Sequence, residues 1–134
     1  MIQIETTSHD PYFNQAFEDY VFRTYREGDV LLLWRNRPAV VVGCYQNICR
    51  EVHMRALLDR GIPVVRRMSG GGTVYHDLGN LNYTLISDQT GPLDYDRCLE
   101  PVIRALNALG VPAQKNRTCD IAVDGKKISG SAQK

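Results

Sequence analysis

The sequence carries almost no excess of either charge: 16 Lys and Arg stand against 15 Asp and Glu in 134 residues. A net charge of +1 gives no global field to steer the chain onto nucleic acid or an anionic membrane, so neither is an expected partner. Recognition of anions has to be local. Long apolar runs are missing too, because the longest candidates, Val30 to Trp34 and Ala39 to Gly43, fall far short of the roughly 18 to 20 residues of a membrane helix. The opening Met1-Ile2-Gln3-Ile4-Glu5 has neither the basic nor the apolar stretch of a secretory signal, and the expected location is the cytoplasm.

Cysteine is sparse and badly spaced for metal. No pair among Cys44, Cys49, Cys98 and Cys119 has the two-residue spacing of a zinc knuckle or redox motif. Cys44, Cys49 and His53 make only a loose triad, and free thiols are expected in a reducing compartment. Internal repeats and low-complexity tracts are absent. So are three common fingerprints. Gly125-Lys126 lacks the earlier glycine of a Walker loop, no dinucleotide-binding Gly-x-Gly-x-x-Gly occurs, and neither Ser69 nor Ser129 follows the glycine that a hydrolase elbow requires.

What remains is the profile of one soluble globular domain, 43% apolar and 23% charged, with room for a core. Apolar residues at 13, 16, 17, 20 and 21 predict a helix capped by Asp10, with Pro11 at its first position. Val30 to Trp34 and Ala39 to Gly43 read as two buried, paired strands around the turn 35–38. Glu51 to Arg60 reads as a helix closed by Gly61, and Pro63 to Arg67 as a strand. A glycine-rich turn, the extended Thr73 to His76, a second turn and the strand Leu81 to Ile86 follow. Tyr95 to Leu109 is the clearest helix, with Leu99, Val102, Ile103, Leu106 and Leu109 on one face. Ile121 to Val123 and Ile128 flank Asp124-Gly125, a strong hairpin signal, and the second strand is expected to run on to Lys134. The pattern is α+β, with a mixed, largely antiparallel sheet and flanking helices. A last strand with nothing after it to cover it reads as part of a longer protein, so residues 1–134 are expected to be an incomplete portion of one domain whose remainder, or a separate C-terminal segment, completes it.

Three clusters could carry chemistry: Arg66 to Asp77, Thr118 to Asp120, and Gly125 to Ala132. Three consecutive glycines remove every Cβ from a turn and let backbone N–H groups converge on an anion, while two preceding arginines add forked donors. The plainer alternative is a hairpin tip with solvated arginines. His76 could equally be a core or surface histidine, and lysines after a tight turn, such as Lys126 and Lys127, are usually solvated.

Co-occurrence changes that reading. Arg66-Arg67-Met68-Ser69-Gly70-Gly71-Gly72-Thr73-Val74-Tyr75-His76-Asp77-Leu78-Gly79-Asn80-Leu81-Asn82-Tyr83-Thr84 closely resembles the signature of lipoate–protein ligases, within the biotin/lipoate ligase superfamily. So do Asp120 to Gln133 and Gly43-Cys44-Tyr45-Gln46-Asn47. The resemblance implies a biotin/lipoate ligase-like catalytic domain, akin to class II aminoacyl-tRNA synthetases. It implies that ATP with Mg²⁺ activates lipoate to lipoyl adenylate and that the lipoyl group passes to a lysine of an acceptor. Acceptors would be lipoyl domains of 2-oxoacid dehydrogenase complexes or the glycine cleavage H protein. It assigns catalysis to Lys127 and binding of the lipoyl adenylate to Arg67, Ser69, Gly70, Gly71, Gly72, His76 and Asp120, with Asp120 also a Mg²⁺ ligand. Val40, Val41 and Val42 would line the tunnel for the dithiolane tail. Where the family reads Arg-Asn-Asp, this chain has Arg117-Thr118-Cys119-Asp120, with Cys119 in the asparagine's place. Two rivals share the scaffold: an octanoyl or lipoyl transferase working through a cysteine thioester, for which Cys119 is the candidate, and a non-enzymatic lipoate-binding module.

Overall fold

The computed structural model describes residues 1–25, 28–87, 91–92 and 94–134. Its contacts divide into two units, residues 1–88 with 133–134, and residues 89–132. The first unit opens with β1 (Ile2–Glu5) and α1 (Pro11–Thr24). Asp10 accepts from the N–H groups of Tyr12 and Phe13, and Pro11 takes the first helical position, so α1 starts where its sequence predicts. Its buried face is a different one. Phe13 and Tyr20 remain exposed while Asn14 and Val21 are buried, because the Asn14 amide is drawn inward to the carbonyls of Ser8 and Arg35. Phe13 instead stacks on Phe17, ring centroids 5.7 Å apart.

β2 (Val30–Trp34) and β3 (Ala39–Val42) do not form the expected pair. β2 lies between β1, parallel to it, and β6 (Asn82–Ile86), antiparallel. β3 lies between β4 (Val64–Arg66), parallel, and β5 (Val74–His76), antiparallel. The connection explains the split. Asn36 is fully buried against Asn14, and the Arg37 N–H donates to the His9 carbonyl, which ties residues 35–38 to the entry of α1 instead of leaving them a free turn. The glycine-rich segment is not a hairpin tip either, since β3 separates the strands it joins.

The helix expected over Glu51 to Arg60 is replaced by α2 (Ile48–Glu51) and α3 (Met54–Asp59). The His53 ring accepts from the Ala56 N–H and starts the second, and a side-chain cap at that position breaks continuity. Val21, Val30 and Ile86 form the buried centre under α1, joined by Ile4, Phe17, Phe22 and Tyr25.

The second unit holds α4 (Tyr95–Ala108), β7 (Ala113–Lys115), β8 (Ile121–Val123) and β9 (Lys126–Ser129). Asp94 caps α4, and Leu99, Val102, Ile103 and Leu106 pack with Ala113 and Ile121. Leu109 leaves the apolar stripe because it is the C-cap, 80% exposed. β7 has no counterpart in the sequence reading. Asp124 and Gly125 both have positive φ, 48° and 74°, the backbone of a type I′ hairpin. β9 stops at Ser129 instead of running to Lys134, because Ser129 already pairs with Ile121, the first residue of β8. The architecture is α+β, with three small, mostly antiparallel sheets among the described residues instead of one. Among the described residues no helix is long and apolar enough to cross a membrane.

Candidate functional site

In the first unit the glycine-rich segment is clamped across one end of β3. The Arg67 N–H donates to the Val42 carbonyl, and the Cys44 N–H to that of Ser69. Both arginines turn toward protein. Arg66 Nη1 reaches the carbonyls of Gly43, Cys44 and Gln46 at 2.8, 3.1 and 2.9 Å. Arg67 donates to Gly70 O from Nε and Nη2, to Gly72 O from Nη2 at 2.7 Å, and to Val41 O from Nη1. A turn of bare peptide groups brings carbonyl oxygens together that need donors, and the guanidinium forks provide them. Burial lowers the Arg67 pKa from its usual value, with the neighbouring Cys44 and Glu18 working the other way.

The consequence is a polarised loop. With the Gly70 and Gly72 carbonyls held on Arg67, the N–H groups of Gly70, Gly71 and Gly72 have no protein acceptor among the described residues. That is the state a backbone anion cradle needs. Two glycines are required for it. Gly71 has φ +91°, and a Cβ on Gly43 would come 2.1 Å from the Gly71 carbonyl oxygen. Gln46 Oε1 completes the clamp, accepting from the Gly43 N–H at 3.0 Å and the Thr73 hydroxyl at 2.7 Å.

His76 ends β5, half-buried, with its ring 6.0 Å from the Trp34 ring and Nδ1 3.2 Å from Asn36 Nδ2. Burial, then Arg67, lowers its pKa below the ordinary 6.5, and Asp77 opposes them. Glu18 is a titratable group that the sequence reading overlooked. Its carboxylate accepts from the Thr84 hydroxyl at 2.6 Å, and burial raises its pKa above the ordinary 4.5. Of the three valines assigned to a tunnel, Val40 lines an open apolar groove of about 270 Å³ with Val52, Ala56, Leu57, Val74 and Tyr75. Val41 and Val42 are buried.

In the second unit Lys127 and Asp120 meet. Lys127 Nζ lies 3.0 Å from Asp120 Oδ2, the lysine side chain 58% exposed and the carboxylate 14%. Successive strand residues face opposite ways, so Lys126 points away from this pair. Asn116, overlooked in sequence, and Thr118, from the second candidate cluster, shape the loop. Asn116 Oδ1 accepts from the N–H groups of Thr118 and Asp120, and the Thr118 hydroxyl reaches Asp120 Oδ2. An Asn with a Thr two residues on is an Asx-turn signal that could have found Asn116. Burial pushes the Asp120 pKa up, but the hydrogen bonds from Lys127 and Thr118 leave it below 3.8. Among the described residues no three His, Cys, Asp or Glu side chains gather to hold a metal, so Asp120 could serve Mg²⁺ only together with phosphate and water oxygens. Cys119 has φ 60°, a conformation that asparagine tolerates better, and its side chain packs with Leu99, Ala113 and Ile121.

Comparison with known proteins places these residues in a family. Residues 10–134 match the lipoyl protein ligase A/B catalytic domain. The chain is 44% identical over 128 residues to lipoate-protein ligase LplJ of Bacillus subtilis, covering 93% of this chain and 39% of the relative. It is 42% identical to the mitochondrial lipoyl amidotransferase LIPT1 of Mus musculus, covering 98% of this chain and 36% of the relative. It thus spans less than half the length of either. A putative lipoate protein ligase from T. acidophilum with bound lipoic acid superposes with a TM-score of 0.85 at 28% identity, covering 98% of this chain and 60% of that one. A lipoate-protein ligase A bound with ATP does so equally, at 0.85 and 28%, with 98% and 59% covered. With that match over residues 10–134, which take in both the glycine loop and the Lys127–Asp120 pair, the chain belongs to the lipoyl protein ligase A/B catalytic-domain family.

Proposed function

We propose that the protein activates lipoate with ATP and transfers the lipoyl group to a lysine of an acceptor lipoyl domain. The observation that carries this is the polarised loop: carbonyls turned onto Arg67 and glycine N–H groups left for an anion. In the first step a lipoate carboxylate oxygen attacks the α-phosphorus of ATP, and the bond to pyrophosphate breaks. In the second the acceptor amine attacks the acyl carbon, loses its proton, and AMP leaves. Neither step needs a protein nucleophile; both need charge neutralised at fixed positions. The Gly70, Gly71 and Gly72 N–H groups supply donors, with Ser69 at the loop's start. Lys127 supplies a compact cation for the acyl carboxylate and α-phosphate, held in place by Asp120 until the ligand displaces it. A Mg²⁺ ion held at Asp120 would neutralise phosphate charge.

The relative named a lipoyl amidotransferase supports a second reading, in which the lipoyl group moves from one protein lysine to another without ATP. One assay separates the two. Lipoate-dependent release of pyrophosphate from ATP is expected; its absence, together with transfer from a lipoylated donor protein, would establish the second.

A further inference from the structure

Two buried asparagines of the first unit connect α1 to the His76 ring. Asn14 and Asn36 are 1% and 0% exposed. Asn14 Nδ2 lies 3.0 Å from the carbonyl oxygens of both Ser8 and Arg35. Main-chain carbonyls only accept, so the end of the amide that faces them has to be the NH₂. The Asn14 oxygen is left without a partner, yet turning the amide round would set it against those carbonyls. The two hydrogens of that NH₂ are shared among three acceptors, the third being Asn36 Oδ1 at 2.9 Å; the Asn36 NH₂ then faces His76 Nδ1 at 3.2 Å. An NH₂ donates, so Nδ1 accepts, and a neutral imidazole that accepts at Nδ1 carries its hydrogen on Nε2.

We propose that Asn36, held by Asn14, is a positioning residue that fixes His76 as the neutral Nε2–H tautomer, so that His76 offers a hydrogen-bond donor to an oxygen of the bound acyl adenylate. The use of Nε2 rests on the adenylate reading above; the tautomer rests on the hydrogen bonds alone. Protonation would set an N–H at Nδ1 against the Asn36 NH₂; Asn14 cannot turn over without losing its bonds to the main chain, and Asn36 cannot without setting its NH₂ against that of Asn14. The charged groups acting on the ring are Arg67, which opposes an imidazolium as burial does, and Asp77, which favours it. The residue opposite on β3 is Ala39, and the neighbouring ring is Trp34; neither titrates.

The test is a long-range ¹H–¹⁵N correlation spectrum of the ligand-free full chain, followed through a pH titration, with His76→Gln assigning the signals against His9 and His53. Wild type is expected to show an unprotonated Nδ1, a protonated Nε2 and a midpoint below that of an ordinary histidine. Asn36→Asp puts an acceptor in place of the donor. It should move the hydrogen to Nδ1 and raise the midpoint by at least about one pH unit, tenfold in the protonation equilibrium. An Nδ1–H or mixed tautomer in wild type overturns the proposal whether or not the variant folds, and so does a folded Asn36→Asp with wild-type tautomer and midpoint. Pyrophosphate release is measured alongside. If it is absent while the Nε2–H tautomer is present, the adenylate reading and the use of Nε2 fall, and the asparagine relay stands.

Discussion

Lys127 and Cys119 are separated by their surroundings more than by their chemistry. Lys127→Ala removes an exposed side chain and a partly solvated ion pair, which costs little stability, but it takes away the cation that the adenylation step requires. Lipoate-dependent pyrophosphate release is expected to fall by about 10²-fold or more, with melting temperature close to wild type, and Lys126→Ala to retain most activity. Cys119→Ser is expected to keep near wild-type acyl transfer, because the thiol packs among Leu99, Ala113 and Ile121; loss of transfer would restore the thioester route. At this scale the sequence named candidate residues and not what they touch. Arg66 and Arg67 read as anion ligands because a fork next to glycines suits phosphate, and the same fork suits the loop's own carbonyls. Asn14 and Asn36 gave no signal, since an amide in a helix or turn reads as solvated until something shows that it is buried.

Among the elements, the loop and β3 depend on each other through Gly43 and Gly71. Gly43→Ala would drive a methyl group into the Gly71 carbonyl, a contact with backbone that no rotamer relieves. A cost of about 1–3 kcal/mol is expected, together with a larger loss in lipoate and ATP binding, read by thermal unfolding and calorimetry side by side. Gly71→Val should impair binding more than folding, because its φ of +91° excludes a β-branched residue and its N–H must stay approachable. Unchanged binding in either variant would reduce the loop to a turn. Caps, propensities and the Asp124-Gly125 turn made α1, α4 and the β8–β9 hairpin legible, because the signals for these are local. Strand partners were not legible. Adjacent apolar runs read as a hairpin, whereas β2 and β3 are separated by the burial of Asn36, a long-range event with no local mark.

For the molecule as a whole, two titrations act on stability in opposite directions. The His76 pKa is lowered on folding, so the unfolded chain takes up the proton first; the stability is fully present above 6.5 and is lost as pH falls through the lowered value. The Glu18 pKa is raised, so the unfolded chain ionises first; that stability is fully present below 4.5 and is lost as pH rises through the raised value. Glu18→Gln is therefore expected to be more stable than wild type at neutral pH, with the difference vanishing in acid, as chemical denaturation at the two pH values would show. Leu32→Ala, at a fully buried position of the central strand β2, should cost about 2–5 kcal/mol. That strand also sets a condition on synthesis. β2 can pair with β1 as soon as it leaves the ribosome, but its other edge waits for Asn82–Ile86. At about 5–20 residues per second, Val-Leu-Leu-Leu-Trp presents an open, apolar edge for several seconds in every newly made chain. The nascent protein thus passes through an interval in which a holdase, or dilution from its neighbours, decides whether β6 or another chain takes that edge.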